Sequence, residues 1–207
     1  MNRVDCVYYI NLDKRQDRKA EMETQFANMN IHATRFPAIQ DNPPAIGCTK
    51  SHLNILRLAM EDNVKNILIL EDDFEFDCDR ATLDERLNFF LDNFPKYDVV
   101  MLTYGGLEGS PTPLGGIGKI KAAYNSAGYL VSGHYLPKLI ANLEGSLDLQ
   151  KRERGAHWKW AIDQFWKSLQ ATDEWFFFHP PLGYQRGGYS DIANRHRNAS
   201  EFRKVTK

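Results

Sequence analysis

Three consecutive carboxylates, Glu71, Asp72 and Asp73, directly follow four large aliphatic residues, Ile67 to Leu70. The short apolar run is typical of a strand that is buried on both faces, although periodicity alone does not exclude a helical segment. A central strand of an α/β sheet ends at the rim where such proteins bind ligands. Hard divalent cations such as Mg²⁺ and Mn²⁺ prefer oxygen ligands, usually together with substrate phosphates. The pattern therefore favours a metal site over a solvated acidic turn or helix cap.

The side chains of these three acids are expected to divide between the two faces of the sheet. Successive residues of a strand point to opposite faces, so a continued strand places Glu71 and Asp73 on one side and Asp72 on the other. Because adjacent acids repel one another, a cationic group must compensate their charge wherever they lie.

A second segment with potential chemistry covers residues 10–18, where a predicted strand leads into a predicted helix. The N-terminus of a helix attracts phosphate through its free N–H groups and its dipole, and Arg15 and Arg18 are spaced to share one face. An equally consistent alternative is a solvated first turn in which the arginines pair with Asp17 and Glu21.

Ser51 and His52 end the short motif Gly47-Cys-Thr-Lys-Ser-His52. We predict that a helix begins at Thr49 or Ser51, which places His52 in the first turn, where the helix dipole favours a neutral ring. The imidazole could donate to a ligand or support a carboxylate of the acidic cluster. A structural histidine next to a capping serine is the alternative.

Trp160 and Asp163 are spaced to share one face of a predicted helix over 158–169, while Trp158, Ile162 and Phe165 form its buried stripe. An aromatic plane beside a carboxylate suits a sugar, whose C–H faces pack on rings and whose hydroxyls need acceptors. Asp163 is also able to remove a hydroxyl proton as a general base. The alternative is an exposed helical acid beside core tryptophans.

The C-terminal part of the chain offers two weaker candidates. His179 is a possible further metal ligand, although a His-Pro-Pro sequence also simply ends a strand. The tail over 186–207 is basic and jointed by glycine, so it could fold over a diphosphate, and a frayed terminus is equally consistent. Its cations are Arg186, Arg195, Arg197, Arg203, Lys204 and Lys207.

Strand-like and helix-like segments alternate along the chain, which predicts a single-domain, layered α/β fold with a largely parallel sheet flanked by helices. We predict strands at 4–11, 31–39, 67–70, 97–103, 127–132 and 175–178. Predicted helices follow residue 13 and residue 49 or 51 and cover 84–94, 135–143 and 158–169. Residues 40–47 are predicted to be a loop. The segment 104–118, with its six glycines and two prolines, is predicted to be a mobile surface loop.

Composition narrows the class of protein. A chain of 207 residues with a net charge of −1 gives no electrostatic argument for binding nucleic acid or an anionic membrane. Cys6, Cys48 and Cys78 include no Cys-x-x-Cys pair, which argues against a disulfide framework or a thiolate zinc site. We find neither a signal-peptide core nor a run of membrane-spanning length, and we therefore expect a cytoplasmic protein without a membrane span.

Taken together, the segments resemble glycosyltransferase family 25, which includes bacterial lipooligosaccharide galactosyltransferases and collagen hydroxylysine galactosyltransferases. The resemblance covers nearly the whole chain. This chain is, however, shorter than many relatives, and residues 104–118 match no block of the family. Both differences leave the identity of the acceptor open. The ordered blocks are Ile10-Asn-Leu-Asp-x-Arg-x-Asp-Arg18, Gly47-Cys-x-x-Ser-His52, Leu68-Ile-Leu-Glu-Asp-Asp73, Ser126-Ala-Gly-Tyr-Leu-Val-Ser132, Lys138-Leu-Ile140, Ala161-Ile-Asp163 and Ser190-Asp-Ile192.

The resemblance implies a GT-A-type, Rossmann-like fold and an inverting transfer from a UDP-sugar, commonly UDP-galactose, with the help of Mn²⁺ or another divalent cation. The implied acceptor is a glycan or a hydroxylated protein, and the oligomeric state stays open. Asp72 and Asp73 would ligate the cation, Glu71 would act through water or the ribose, and Asp163 would be the catalytic base. The implied nucleotide-sugar site contains Asn11, Arg15, Arg18 and Ser51, with support from His52.

Two other functions explain part of the pattern. A metal-dependent phosphohydrolase would use the same acids with water as the nucleophile, but it leaves the other ordered blocks unexplained. A catalytically degenerate protein would keep UDP or sugar binding as a module, and the intact acidic triplet argues against it.

Overall fold

An eight-stranded sheet organises the described part of the chain, which is residues 1–192 and 195–198 of this computed structural model. Six strands run in one direction, since only the strands at Ile117–Tyr124 and Gly128–Ser132 are antiparallel to both of their neighbours. The predicted mostly parallel α/β sheet is thus confirmed. Its spatial order is β2 (Thr34–Pro37), β1 (Cys6–Asn11), β3 (Asn66–Glu71), β8 (Gly128–Ser132), β5 (Val99–Met101), β9 (Trp175–Phe178), β7 (Ile117–Tyr124) and β6 (Gly105–Pro111).

Helices and two small strand pairs surround this sheet. None of the described helices is long and apolar enough to span a bilayer. The helices are α1 (Gln16–Asn28), α2 (Pro44–Glu61), α3 (Arg80–Asn93), α4 (Leu136–Arg152), α5 (Ile162–Phe165) and α6 (Lys167–Gln170), with 3₁₀ turns at Gly133–Tyr135 and Arg154–Trp160. The small antiparallel pairs join β4 (Phe74–Phe76) to β10 (Gly183–Gln185) and β11 (Gly188–Ser190) to β12 (Arg195–Arg197).

The aliphatic run of β3 is buried on both faces of the sheet, as the sequence predicts. Ile67 and Ile69 belong to the core that includes residues of α2 and α4, whereas Leu68 and Leu70 belong to the core that includes residues of α1 and α3. Burial of each such side chain typically contributes about 1.5–3 kcal/mol. This strand is therefore held in place from both sides where the acidic triplet begins.

Helix α2 begins earlier than predicted, at Pro44, so residues 44–47 are helical and not part of a loop. Proline fits the first turn of a helix because its missing N–H would have no partner there. Thr49 and Ser51 therefore lie inside the helix, and their hydroxyls donate to Ala45 O and Gly47 O at 3.0 and 2.8 Å. The predictions that one of them caps the helix, and that His52 lies in its first turn, are wrong.

The glycine-rich segment 104–118 is a β-hairpin at the edge of the sheet, and the prediction of a surface loop is wrong. Its glycines make room for aromatic rings. A Cβ on Gly105 or Gly106 would lie 2.4 Å from the Tyr124 ring, and a Cβ on Gly118 would lie 2.1 Å from the Phe177 ring. Close packing on aromatic side chains explains these three glycines.

The helix predicted over 158–169 is divided into a 3₁₀ segment and the single-turn helices α5 and α6. The chain is extended at Ala161, where ψ is 148°. Trp158, predicted to be buried, is 62% exposed, while Ile162 is buried as expected. The apolar spacing that suggested one stripe therefore belongs to three separate segments.

The basic tail is only partly described. Arg186, Arg195 and Arg197 are within the described residues, and the last two belong to β12. Arg203, Lys204 and Lys207 lie outside them.

Gly47 allows a test of how α2 is positioned. A Cβ at this position would lie 2.1 Å from Ile39 O and 3.0 Å from Asp41 N, both of which are backbone atoms. We expect Gly47→Ala to lower the free energy of unfolding by about 1–3 kcal/mol, the usual cost of overpacking. Gly155→Ala is the matched control, because a Cβ there meets nothing within 4 Å. Urea denaturation that gives both variants the same stability would contradict this close approach.

Candidate functional site

The carboxyl ends of β1 and β3 meet at one edge of the sheet, because these parallel strands are direct neighbours. A cavity of about 290 Å³ opens there between α1, α2 and the C-terminal segment. Such an edge is where open α/β sheets bind ligands. The cavity lining includes Arg18, Cys48, Ser51, His52, Glu71, Asp72, Asp73, Gln185 and Asp191.

Arg18 is the cation that compensates Asp72 and Asp73. Its Nη1 atom donates to Asp72 Oδ1 at 2.6 Å and to Asp73 Oδ2 at 3.1 Å. Asn11 Nδ2 donates to Asp72 Oδ2 at 2.8 Å, and Gln185 Nε2 donates to Asp73 Oδ2 at 3.1 Å. Because residues 72 and 73 form a turn after β3, both aspartates contact α1, and the predicted separation of Asp72 from Asp73 is wrong.

Both aspartates are less acidic than usual. Burial raises the pKa of Asp73 to about 6, the charge of Glu71 adds to the shift, and Arg18 opposes it. Burial also raises the pKa of Asp72, again against the effect of Arg18. Asp73 Oδ1 is buried and has no hydrogen-bond partner among the residues that the structure describes. An oxygen in this state fits a divalent cation, which would satisfy it and favour the ionised form.

Glu71 faces α2 and has different partners. His52 Nε2 lies 3.2 Å from Glu71 Oε1, and His52 Nδ1 lies 2.7 Å from the hydroxyl of Tyr129. Ser126 Oγ donates to the same Glu71 oxygen at 2.5 Å. Burial alone would raise the pKa of Glu71, but the contacts with His52 and Ser126 lower it below the ordinary value. The structure therefore places an ionised glutamate beside two aspartates that bind protons more readily.

Asp163 lies at the start of α5, behind the residues that line the cavity. Its Oδ2 atom accepts from the backbone N–H of Asn125 at 3.1 Å, and the next residue, Ser126, binds Glu71. Burial raises the pKa of Asp163, and Glu71 adds to the shift. Trp160, expected beside Asp163, belongs to the 3₁₀ segment, and its indole N–H donates to Glu153. The Asn125–Ser126 turn, not a shared helical face, connects Asp163 to the acidic cluster.

Asn125 itself has two unusual features. Its φ of +91° lies in a region that side chains other than glycine rarely adopt. Its Nδ2 atom is buried and has no hydrogen-bond partner in the described part of the chain. Buried donors without a partner are rare in native proteins, so this one requires an explanation.

Arg15 contacts the C-terminal segment and not the acidic triplet Glu71–Asp73. It forms ion pairs with Asp17 at 2.8 Å and with Asp191 at 3.0 Å, and Lys14 pairs with Asp191 at 2.6 Å. Arg18 Nη2 donates to Tyr189 O at 2.9 Å. The segment 188–192 is thereby attached to the start of α1 along the cavity.

The predicted site residues thus separate into two groups. Asn11, Arg18, Ser51, His52, Glu71, Asp72 and Asp73 converge on the cavity, with Arg15 and Asp163 at its margins. His179 does not join them, because it lines a different depression beside the β6–β7 hairpin. Its backbone N–H donates to Gly116 O at the edge of the sheet.

Sequence reasoning missed Cys48, Gln185 and Asn125, and it assigned Arg186 to a basic tail without predicting its contacts with the acidic triplet. Cys48 lines the cavity, and Gln185 binds Asp73. Arg186 donates from its backbone N–H to Asp73 O at 2.7 Å and from Nη2 to Asp72 O at 2.8 Å. The sequence offers one signal for the last two, which is a Gln-Arg pair between the tail glycines. Nothing in the spacing reveals Asn125.

Asp73 provides a test of these electrostatics. Its folded-state pKa of about 6 exceeds the value of about 3.9 for an unfolded aspartate. The native state therefore binds more protons between about pH 4 and pH 6, and its stability falls as the pH rises through this range. In buffer without divalent cations, Asp73→Asn should be more stable than the wild type at pH 7.5 by up to a few kcal/mol.

The control for this measurement is Asp92→Asn, which changes an exposed acid on α3. The stability advantage of Asp73→Asn should shrink as the pH falls to 4, where the native carboxyl of the wild type is protonated and the unfolded one is becoming so. A difference that does not change between pH 4 and 7.5, in denaturant titrations of all three proteins, would contradict a raised pKa.

The sequence of this chain is similar to the sequences of known proteins, both over residues 43–104 and over a longer part of the chain. Residues 43–104 match the sequence model of glycosyltransferase family 25 (LPS biosynthesis protein). A glycosyltransferase 25 family member from Drosophila melanogaster is 26% identical, and the match covers 67% of this chain and 28% of that protein. One from Drosophila pseudoobscura pseudoobscura is 28% identical over 36% of this chain and 16% of its own length. The chain thus spans less than a third of these curated relatives.

Solved structures show the same fold at low sequence identity. A197 from STIV has a TM-score of 0.51 at 13% identity, with 92% of each chain covered. UDP-glucose pyrophosphorylase, complexed with UDP-glucose, has a TM-score of 0.50 at 11% identity, with 86% of this chain and 74% of that chain covered. These likenesses confirm a single-domain GT-A-like α/β fold. The sequence matches confirm the resemblance to glycosyltransferase family 25 that the motifs indicate.

Proposed function

We propose that this protein is an inverting glycosyltransferase that moves a sugar, galactose in the simplest case, from a UDP-sugar to an acceptor hydroxyl with the help of a divalent cation such as Mn²⁺. One observation carries the proposal. Asp73 presents a buried, unpartnered oxygen beside Arg18 in the cavity at the carboxyl ends of β1 and β3. The resemblance to glycosyltransferase family 25 supports a sugar-nucleotide as the ligand of this cavity.

Asp72 and Asp73 would hold the cation, which supplies Lewis acidity to the leaving diphosphate. Arg18 contacts both carboxylates and adds positive charge at the same place, where a departing UDP gains negative charge. Asn11 fixes Asp72 through its amide. Arg15 and Ser51 would complete the nucleotide-sugar site, and Glu71, oriented by His52, would bind the ribose or act through a water molecule.

Asp163 is the proposed general base. Inversion in one displacement requires a group that removes the proton of the acceptor hydroxyl while its oxygen bonds to the anomeric carbon and the bond to UDP breaks. Burial raises the pKa of Asp163 and so increases its proton affinity, and the N–H of Asn125 orients the carboxylate. The free Nδ2 of Asn125 is a donor for a sugar hydroxyl.

The acceptor class that the family suggests is a glycan or a hydroxylated protein. We also propose a reducing location such as the cytoplasm, since Cys6, Cys48 and Cys78 are all free thiols in this fold. A donor screen with Mn²⁺ tests the central proposal by measuring released UDP and transferred sugar separately. Binding of UDP without transfer or hydrolysis would identify a sugar-nucleotide-binding module instead.

Asp73→Ala tests the cation. Removal of this carboxylate should abolish the gain in UDP affinity that Mn²⁺ produces and leave the fold intact, because the ion loses a charged ligand while acidic repulsion is relieved. Asp92→Ala removes an exposed acid of the same type and should retain the Mn²⁺ effect. Calorimetry in which Mn²⁺ has no effect on UDP affinity, in the wild type and both variants alike, would reject this metal site.

Asp163→Asn tests the base. The amide keeps the volume of the side chain but cannot accept the proton, so kcat should fall by about 10²–10⁴-fold while UDP affinity holds. Asp148→Asn, on the exposed side of α4, is the matched control. If Asp163 only positions the acceptor, KM for the acceptor should rise and most of kcat should remain. Unchanged kcat and KM would remove Asp163 from the catalytic site.

A further inference from the structure

A second cluster of potential metal ligands lines the same cavity. Cys48 and His52 are four residues apart and share one face of α2, while Glu71 ends β3 directly opposite. One ligand atom from each, namely a sulfur, a nitrogen and a carboxylate oxygen, lies within 4.8 Å of the other two. All three residues contribute to the cavity wall.

The spacing of these atoms is close to that of a tetrahedral zinc site. Zinc bonds of about 2.0–2.2 Å to nitrogen and oxygen set an N···O edge of about 3.3–3.5 Å, and a bond of about 2.3 Å to sulfur sets edges to sulfur of about 3.6 Å. His52 Nε2 and Glu71 Oε1 are 3.2 Å apart. The thiol needs to approach by only about an ångström to complete three corners.

Groups behind the ligands are arranged as they are in known metal sites. A histidine that binds a metal through one nitrogen almost always has its other nitrogen fixed by a hydrogen bond. His52 Nδ1 lies 2.7 Å from the Tyr129 hydroxyl, which leaves Nε2 directed at Glu71. Ser126 holds Glu71 Oε1 at 2.5 Å. His52, Tyr129 and Ser126 therefore restrict the movement of two of the three ligands.

We propose that Cys48, His52 and Glu71 form a three-ligand site for a borderline-soft divalent cation, Zn²⁺ above all, with its fourth position open to the cavity. Thiolate and imidazole select zinc, whereas the carboxylates of Asp72 and Asp73 suit harder ions such as Mn²⁺. Coordination requires the ring proton on Nδ1, beside Tyr129, and releases the thiol proton of Cys48 to solvent. The spacing of the cysteines hides this site because its ligands come from two different elements.

The test uses the metal-free full chain with Co²⁺ and Zn²⁺ alone, without donor or acceptor. Co²⁺ bound to a thiolate gives a charge-transfer band in the near ultraviolet, and competition with a chromophoric chelator gives the Zn²⁺ affinity. We expect one equivalent of Co²⁺ to produce the band. Cys48→Ser should abolish it, and Cys6→Ser and Cys78→Ser are matched controls that should retain it.

The loss of Zn²⁺ affinity should be larger when a direct ligand is removed than when a residue behind a ligand is removed. Cys48→Ser should weaken binding by more than the roughly 10–100-fold that loss of an outer partner costs, and Tyr129→Phe, which removes only the hydroxyl behind His52, should fall within that range. As a measurement that needs no variant, Zn²⁺ should protect Cys48 from alkylation, as followed by mass spectrometry, and leave Cys6 and Cys78 unprotected.

Three results would overturn the proposal: no thiolate band in the wild type, a Zn²⁺ affinity unchanged by Cys48→Ser, or no protection of Cys48. Retention of the band in Asp73→Ala would support a site separate from the aspartate pair, and its loss there would assign the ion to those aspartates. Because no sugar-nucleotide takes part, failure here leaves the proposed transferase function untouched.

Discussion

Compensation of three buried carboxylates at the end of β3 is the constraint on which the rest of the site depends. Arg18 supplies the counter-charge of Asp72 and Asp73 from α1, and His52 contacts Glu71 from α2, so two helices on opposite faces of the sheet provide partners for the three acids. Loss of Arg18 would leave two buried carboxylates without their cation, and removal of one partner of a buried ion pair typically costs about 3–5 kcal/mol. The two helices therefore determine the charge state of the site as well as its shape.

This compensation of charge is incomplete at Asp73. Arg18 satisfies one oxygen of Asp73, yet the other stays buried without a partner among the described residues. The chain can fold with Arg18 as its internal counter-charge and still leave an oxygen of Asp73 for the proposed cation. On the α2 side, Glu71 is ionised and close to a thiol and an imidazole. One acidic triplet thus presents hard and soft ligand sets to the same cavity, separated by the plane of β3.

Sequence reasoning succeeded where one local signal dominates. The apolar runs of β3 and β9 predicted strands, and the ordered motifs named residues that the fold brings to one cavity. It failed where a tertiary contact decides the local structure. Gly105 and Gly118 indicated a loop, but the rings of Tyr124 and Phe177 explain them. The stripe over 158–169 suggested one helix, but the chain is extended at Ala161. Likewise, the turn that brings Asp73 beside Asp72 is invisible to strand alternation.

The turn between β7 and β8 connects the parts of the site that the sequence separates most. Asn125 adopts a φ of +91°. A residue other than glycine keeps such a backbone conformation only when its surroundings stabilise it. That support comes from its own side chain, which accepts from the N–H of Ala127. The result is that adjacent residues bind two different acids, Asp163 through a backbone N–H and Glu71 through a serine hydroxyl. A single peptide unit therefore links the hydrogen bond to Asp163 with the hydrogen bond to Glu71, so the Asn125–Ser126 turn sets the positions of both acids relative to each other.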